Sequence, residues 1–344
     1  MDKVPASAAV NESVKLVKGC GCAYASGLVN SVLRKIAKDG FTYEKTGEKI
    51  KDLSIIYSCP KALVSKFVED YGEEKTEKIL SSSIGARPVT ARVNTLKASP
   101  DELIALLSGE NAVAEKCTED ENYIILKNTG AVEELNAYKA GFFHVQDISC
   151  GKAVKALSPK AGDTVFDMCS SPGGKAFTAA QLMKNKGKIL AFDLYPQRVK
   201  LCEEGALRLG IDIIEAKVGD ACVFLPEYEK AADKVLCDVP CSGFGIIGRK
   251  PEIRYKDIAI IDNLLPVQYN ILANAAKYVK SGGTLVYSTC TLSRAENEGV
   301  CEKFLGNNAE FRKISFNTII PTENGGDGFF FAAVSYTHLT LPTI

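Results

Sequence analysis

Apolar positions recur at helical spacing early in the chain: Val10, Val14 and Val17, then Leu28, Val32, Leu33 and Ile36, with a break at Gly19-Cys20-Gly21-Cys22. That period puts the side chains on one stripe, so residues 8–37 are predicted to form two helices. Two such helices cannot enclose a core of their own; they either pack on the next stretch of chain or belong to a larger helical bundle, and the second is expected here. Residues 38–52 are polar, carry Gly40 and Gly47, and read as a linker. The helical period resumes over residues 63–84. After Pro88 the β-prone run Val89-Thr90-Ala91-Arg92-Val93 opens a mixed segment reaching about residue 140, with a helix at 101–107 and a strand at 123–126. Residues 53–140 are therefore expected to form a small α+β module.

From Gly141 onward short apolar runs alternate with helical stretches. Strands are expected over residues 164–168, 188–192, 213–217, 234–237 and 284–288. Such alternation predicts an α/β domain over residues 141–334, a doubly wound parallel sheet of Rossmann type. Ligands of such sheets sit at the carboxyl ends of the strands, so chemistry should cluster where these strands stop.

Charge removes one simple signal. Lys plus Arg and Asp plus Glu both number 42, so no global attraction to a polyanion arises, and any nucleic-acid surface must be a local patch. Twelve cysteines lie without regular spacing in a long Lys-rich chain, which fits reduced thiols in a cytoplasmic protein better than a disulfide scaffold. No apolar run approaches the ~18–20 residues that span a bilayer, and residues 1–10 lack a signal-like core. No membrane partner is expected.

The first strand runs into Asp167-Met168-Cys169-Ser170-Ser171-Pro172-Gly173-Gly174-Lys175, and a helix comes next. Paired glycines between a strand and a helix N-terminus let backbone approach a ligand closely. A Walker loop would need glycine where Cys169 stands and Ser or Thr where Ala176 stands, and a dinucleotide fingerprint needs a G-x-G-x-x-G run that is missing here. What survives is a nucleoside-type cofactor. Asp193 closes the second strand twenty residues past Gly173, where a ribose-binding carboxylate is expected, and Asp220 ends the third strand region, placed to accept from a base amino group.

The fourth strand ends in Asp238-Val239-Pro240-Cys241-Ser242-Gly243 and the fifth in Tyr287-Ser288-Thr289-Cys290-Thr291. Most buried cysteines are small apolar fillers. Cys241 and Cys290 differ because each comes directly after a strand terminus in a polar loop, where a side chain projects into the crevice. Two thiols there suit covalent catalysis, one sulfur attacking and the other assisting release.

In this order the three motifs resemble those of the Nol/Nop/Sun family of RNA 5-methylcytosine methyltransferases. The resemblance implies a class I methyltransferase sheet and S-adenosylmethionine as cofactor. It implies Cys290 as nucleophile on cytosine carbon 6, making carbon 5 able to accept the methyl group, with Cys241 assisting release. Cys169, Ser170, Ser171, Pro172, Gly173, Gly174, Lys175, Asp193, Arg198, Asp220 and Asp238 are implied to line the cofactor site, Lys175 and Asp238 also standing near the reacting base. Ser170-Ser171 replaces the family's Ala-Ala, a small-for-small change.

The resemblance extends upstream and covers roughly residues 5–333. Ala8-Ala9-Val10-Asn11-Glu12 and Gly27-Leu28-Val29-Asn30-Ser31-Val32-Leu33-Arg34 are similar to the last helices of the NusB-like domain in the RsmB branch, so residues 1–52 are expected to be a partial NusB-like segment and linker. Tyr57-Ser58-Cys59-Pro60 and Arg92-Val93-Asn94-Thr95 resemble that branch's RNA-binding module. Small-subunit ribosomal RNA is the implied substrate. Gly326-Asp327-Gly328-Phe329-Phe330-Phe331-Ala332 looks like the family's closing strand, whereas residues 335–344 match nothing in the pattern and are expected to be an unrelated tail.

Beyond the Pro-Cys loop, Arg249-Lys250-Pro251-Glu252-Ile253-Arg254-Tyr255-Lys256 sets four cations and an aromatic beside the thiols. Arg249, Lys250 and Arg254 are candidates for phosphate contact, and Tyr255 or Phe244 for stacking on a base. The target cytosine must be unstacked to reach the crevice. The expected partner is RNA, with no metal, the chain acting as a monomer. Two alternatives stay open: a non-catalytic RNA-binding or ribosome-assembly factor, and a relative of the same family acting on tRNA.

Overall fold

The computed structural model describes residues 4–40, 43–85, 87–127, 129–321 and 326–337. The chain divides into two compact units, Met1–Asp52 and Leu53–Ile344. The first holds α1 (Ala6–Gly19) and α2 (Ser26–Asp39), parted at the Gly19–Cys22 break the spacing indicated. Val10 is buried, Val14, Val17 and Leu33 are half-buried, and Leu28, Val32 and Ile36 are exposed, so the apolar stripe is only partly covered. Part of the segment expected to be a linker is ordered around one carboxylate. Asp52 accepts from Tyr43 Oη, from the Thr46 and Gly47 amides and from Thr46 Oγ1.

The boundary between the units falls within α3 (Lys49–Ile56), and the second unit continues into α4 (Lys61–Ser81), which is broken at Gly72, where φ is 76°. A four-stranded antiparallel sheet comes after it, in the order β2-β3-β1-β4. Its strands are β1 (Val89–Val93), β2 (Val113–Lys116), β3 (Tyr123–Lys127) and β4 (Phe143–Val145). Helix α5 (Pro100–Gly109) lies between the first two, its start fixed by a capping box between Ser99 and Glu102, and the short α6 (Asn136–Lys139) precedes the last.

Next come α7 (Ile148–Leu157), β5 (Thr164–Asp167), α8 (Gly174–Leu182), β6 (Lys188–Asp193), α9 (Pro196–Leu209), β7 (Ile214–Val218) and β8 (Ala232–Asp238). The chain ends with α10 (Ile260–Ala276), β9 (Val279–Thr289), α11 (Val300–Asn307), β10 (Phe311–Ile319) and β11 (Phe329–Tyr336). The large sheet has the order β10-β11-β9-β8-β5-β6-β7. β5 to β9 are mutually parallel where they pair, as the alternation predicts. The sheet is mixed rather than wholly parallel, however, because β11 runs antiparallel to β9 and β10 antiparallel to β11. Ser335 and Tyr336, assigned to a tail from the sequence, close β11 and pair with Arg312 and Phe311 of β10; residues 338–344 lie outside the described residues. From β5 the chain builds outward through β6 and β7, then returns to β8 on the other side. This makes a switch point between β5 and β8, where a crevice opens at the carboxyl ends.

Apolar clusters cover both faces of the large sheet, one around Phe166, Val235, Tyr278 and Phe330, the other around Val165, Phe177, Ile189 and Val286. Each fully buried aromatic or branched aliphatic among them contributes roughly 1.5–3 kcal/mol relative to exposure. A third cluster joins α3 and α4 to the loop after β8 through Phe67, Leu80, Phe244, Ile247 and Ile253. Polar ties also bind the small sheet to α8: Arg92 Nε donates to Gln181 Oε1 (2.9 Å), and Gln146 Oε1 accepts from Tyr123 Oη (2.5 Å) and Thr178 Oγ1 (2.8 Å).

Candidate active site

β5 ends at Asp167, and the chain turns through residues 168–173 into α8. Gly173 has φ of 105°, and a Cβ there would meet Phe177 Cζ at 2.3 Å, so this turn admits only glycine. The loop is pinned to the neighbouring strand: the Ser170 amide donates to Phe192 O (2.8 Å) and the Ser171 amide to Asp193 Oδ2 (3.2 Å). Arg198 Nη2 donates to Ser171 O (3.1 Å), and its Nε pairs with Asp193 Oδ1 (3.3 Å). Asp193 is thus held by its own loop with acceptor capacity to spare. Beyond β7, Asp220 accepts from the Cys222 amide (2.8 Å) and borders a small enclosed cavity lined also by Met168, Phe192, Gly219 and Tyr278.

Across the switch point, Lys175 Nζ lies 2.6 Å from Asp238 Oδ2, and Ser288 Oγ donates to Asp238 Oδ1 (2.7 Å). Burial disfavours the Lys175 ammonium, yet the Asp238 carboxylate more than offsets this and keeps it well above the usual lysine range. Asp167 is fully buried, next to the Cys169 amide and the Ser170 side chain. Burial, and then the charge of Asp238, pushes its carboxyl up to about 7.

The loops after β8 and β9 bring Cys241 and Cys290 together, with 3.3 Å between the sulfurs. The hydrogen bond shared with Cys241 holds Cys290 below the usual thiol range against the opposing effect of burial; the Lys175 charge also lowers it. The shared hydrogen bond and then burial push Cys241 well up. Burial pushes Cys150 up to about 12 and Cys169 well above the usual range. Of the thiols on this edge, Cys290 is the one favoured as thiolate, the form that attacks carbon.

The basic stretch is placed otherwise than the sequence suggests. Arg249 is engaged inside the fold: its guanidinium pairs through Nε with Asp327 and through Nη2 with Asp147 (3.2 Å), and donates from Nη1 to Pro88 O (3.2 Å). Arg254, 8% exposed, donates to Tyr57 O (3.1 Å), Ser83 O (2.6 Å) and Ser83 Oγ (3.0 Å). Phe244 is completely buried in the α3–α4 cluster and cannot stack on a base. Lys250 and Tyr255 remain exposed, Tyr255 at 71%. Sequence reasoning also missed a buried polar cluster behind the thiols, formed by Ser242, Gln268, Thr291, Glu296 and Asn297.

Comparison with known proteins matches residues 154–335 to the 16S rRNA methyltransferase RsmB/F family, residues 59–133 to the ferredoxin-like domain of RsmF/B-like methyltransferases, and residues 1–38 to the NusB family. A probable ribosomal RNA small subunit methyltransferase B of Bacillus subtilis is 35% identical, the alignment covering 97% of this chain and 79% of the relative. One of the same description from Synechocystis is 35% identical over 96% of this chain and 79% of its own length. Among solved structures, that of PH0851 superposes with a TM-score of 0.81 at 29% identity, covering 96% of this chain and 77% of the other.

Proposed function

The chain belongs to the RsmB/F family of 16S rRNA methyltransferases, and from that premise we propose that it methylates carbon 5 of an unstacked cytosine in small-subunit ribosomal RNA, using S-adenosylmethionine and a covalent adduct through Cys290. The observation that carries this reading is the 3.3 Å separation of Cys241 and Cys290 beside the Lys175–Asp238 pair.

The residues present fit the cofactor. Gly173 and Gly174 leave the turn open to a close approach, Asp193 closes β6 with acceptor capacity for ribose hydroxyls, and Asp220 borders a cavity with apolar and aromatic walls. Bound there, S-adenosylmethionine supplies an electrophilic methyl group. The chain's own residues do the rest. Cys290, lowered by its neighbours, adds to carbon 6 and makes carbon 5 enamine-like. The Lys175–Asp238 pair stabilises charge that develops on the ring. After methylation the carbon 5 proton must leave and the bond from Cys290 sulfur to carbon 6 must break, which restores the ring double bond and returns Cys290 as thiolate; Cys241, the more basic sulfur of the pair once it has passed its own proton to solvent, takes the carbon 5 proton.

Among the described residues no helix is long and apolar enough to cross a membrane. The reading is tested by incubating the chain with small-subunit ribosomal RNA and S-adenosylmethionine and mapping 5-methylcytosine by bisulfite sequencing. One newly protected cytosine is expected; transfer to tRNA alone, or none at all, would overturn it.

A further inference from the structure

Five residues beyond Cys290 the chain makes a single π-helical turn, Ala295–Gly299. Glu296, in that turn, is completely buried, and both of its carboxylate oxygens are engaged. Oε1 accepts from the Ser242 amide (2.8 Å) and Gln268 Nε2 (2.9 Å); Oε2 accepts from Ser242 Oγ (2.6 Å) and, at 3.3 Å, Thr291 Oγ1. Ser242 is next to Cys241 in the chain and Thr291 next to Cys290, and their hydroxyls are 2.7 Å apart. One carboxylate therefore ties together the two loops that carry the sulfurs. Gln268 extends the tie by donating to Pro240 O (3.0 Å), the residue before Cys241. Asn297 brackets the other thiol, accepting from Thr289 Oγ1 (2.5 Å) and donating to Thr291 O (3.0 Å).

A buried carboxylate is costly unless donors converge on it, and a buried polar network that is satisfied rigidifies what it joins. π-Turns occur often at functional sites. We propose that Glu296 is a positioning residue for the thiol pair: through Ser242 and Thr291 it sets the separation of Cys241 and Cys290, while Asn297 fixes the turn that presents Cys290. The proposal rests on the two-thiol reading above.

The test compares Glu296→Ala with Glu296→Gln. The glutamine can keep an acceptor toward the Ser242 amide and Gln268 while its amide nitrogen donates to the Ser242 hydroxyl. Two rates are measured: single-turnover methyl transfer to small-subunit ribosomal RNA at saturating cofactor, and formation of the Cys241–Cys290 disulfide by hydrogen peroxide. In the second, two thiols and one peroxide give one disulfide and two waters, and the cross-link is followed by peptide mass. For Glu296→Ala we expect both rates to fall by about 100-fold, the effect of roughly ångström misplacement. Cooperative melting and cofactor affinity should be retained, and Glu296→Gln should recover most of both rates. Unchanged disulfide and transfer rates in Glu296→Ala, or losses that only track the folded fraction, would overturn the proposal. If Glu296→Ala does not fold, Thr291→Val cuts the tie to the Cys290 loop alone; the same parallel loss supports positioning and unchanged rates overturn it. If the unmutated chain forms the disulfide but does not methylate the RNA, the functional reading fails, and the disulfide rates still decide the role of Glu296.

Discussion

Lys175 reaches across the switch point from the first turn of α8 to Asp238 at the end of β8, with Nζ 2.6 Å from Oδ2, so one ion pair bridges the start of α8 and the end of β8. Lys175→Met leaves Asp238 without its cation. Breaking a buried pair costs about 3–5 kcal/mol, and because the Asp238 side chain keeps 31% exposure, roughly 2–3 kcal/mol is expected. Urea unfolding checks this; a loss confined to activity would show that the pair does not brace the fold.

Cys290→Ala should reduce methyl transfer by at least ~10³-fold while S-adenosylmethionine still binds by calorimetry. Cys241→Ala should leave attack intact and block release, so RNA-linked protein accumulates as a shifted band on a denaturing gel. A shifted band only with Cys290→Ala would reverse the roles.

Asp167 gives the pH dependence. Burial raises its pKa from 3.8 to about 7, so the folded chain holds this proton more tightly than the unfolded chain. The stabilisation is present below pH 4 and is lost as pH rises through about 7. Asp167→Asn, permanently neutral, should therefore gain more at pH 8 than at pH 5, by roughly 2–4 kcal/mol. Thermal melts of the cofactor-free protein decide it; an equal shift at both pH values would contradict the assignment.

Cations of the basic stretch should separate by role. Arg254→Ala strands the Tyr57 and Ser83 carbonyls and should cost about 2–4 kcal/mol of stability. Lys250→Ala should leave stability unchanged while weakening RNA binding and reducing the log–log salt slope by about 1. Filter binding across a salt series reads both; an unaltered slope in Lys250→Ala would remove that residue from the RNA surface.

The parallel strands were legible because each is a short apolar run ending in a polar motif, and Asp167, Asp193, Asp238 and Cys290 all sit where such a run stops. β10 was not. A register shift between Lys313 and Ser315 breaks its alternation and leaves Ile314 exposed, so no period of two survives. Arg249 and Arg254 look like a solvated basic face in one dimension; their partners, Asp147, Asp327 and Ser83, lie far away in sequence. Glu296 was missed for the same reason. In Ser293-Arg294-Ala295-Glu296-Asn297-Glu298 it resembles the exposed start of a helix, and only the fold brings Ser242 and Gln268 against it.

The tie from Arg92 to Gln181 crosses between two segments that match separate family models, residues 59–133 and 154–335, and the ties from Tyr123 and Thr178 meet on Gln146, which lies between them. Ancestry and autonomy therefore part company here. Cutting the chain between those matches would bare a buried guanidinium on one fragment and orphan its amide acceptor on the other, so neither inherited piece is a natural stand-alone product.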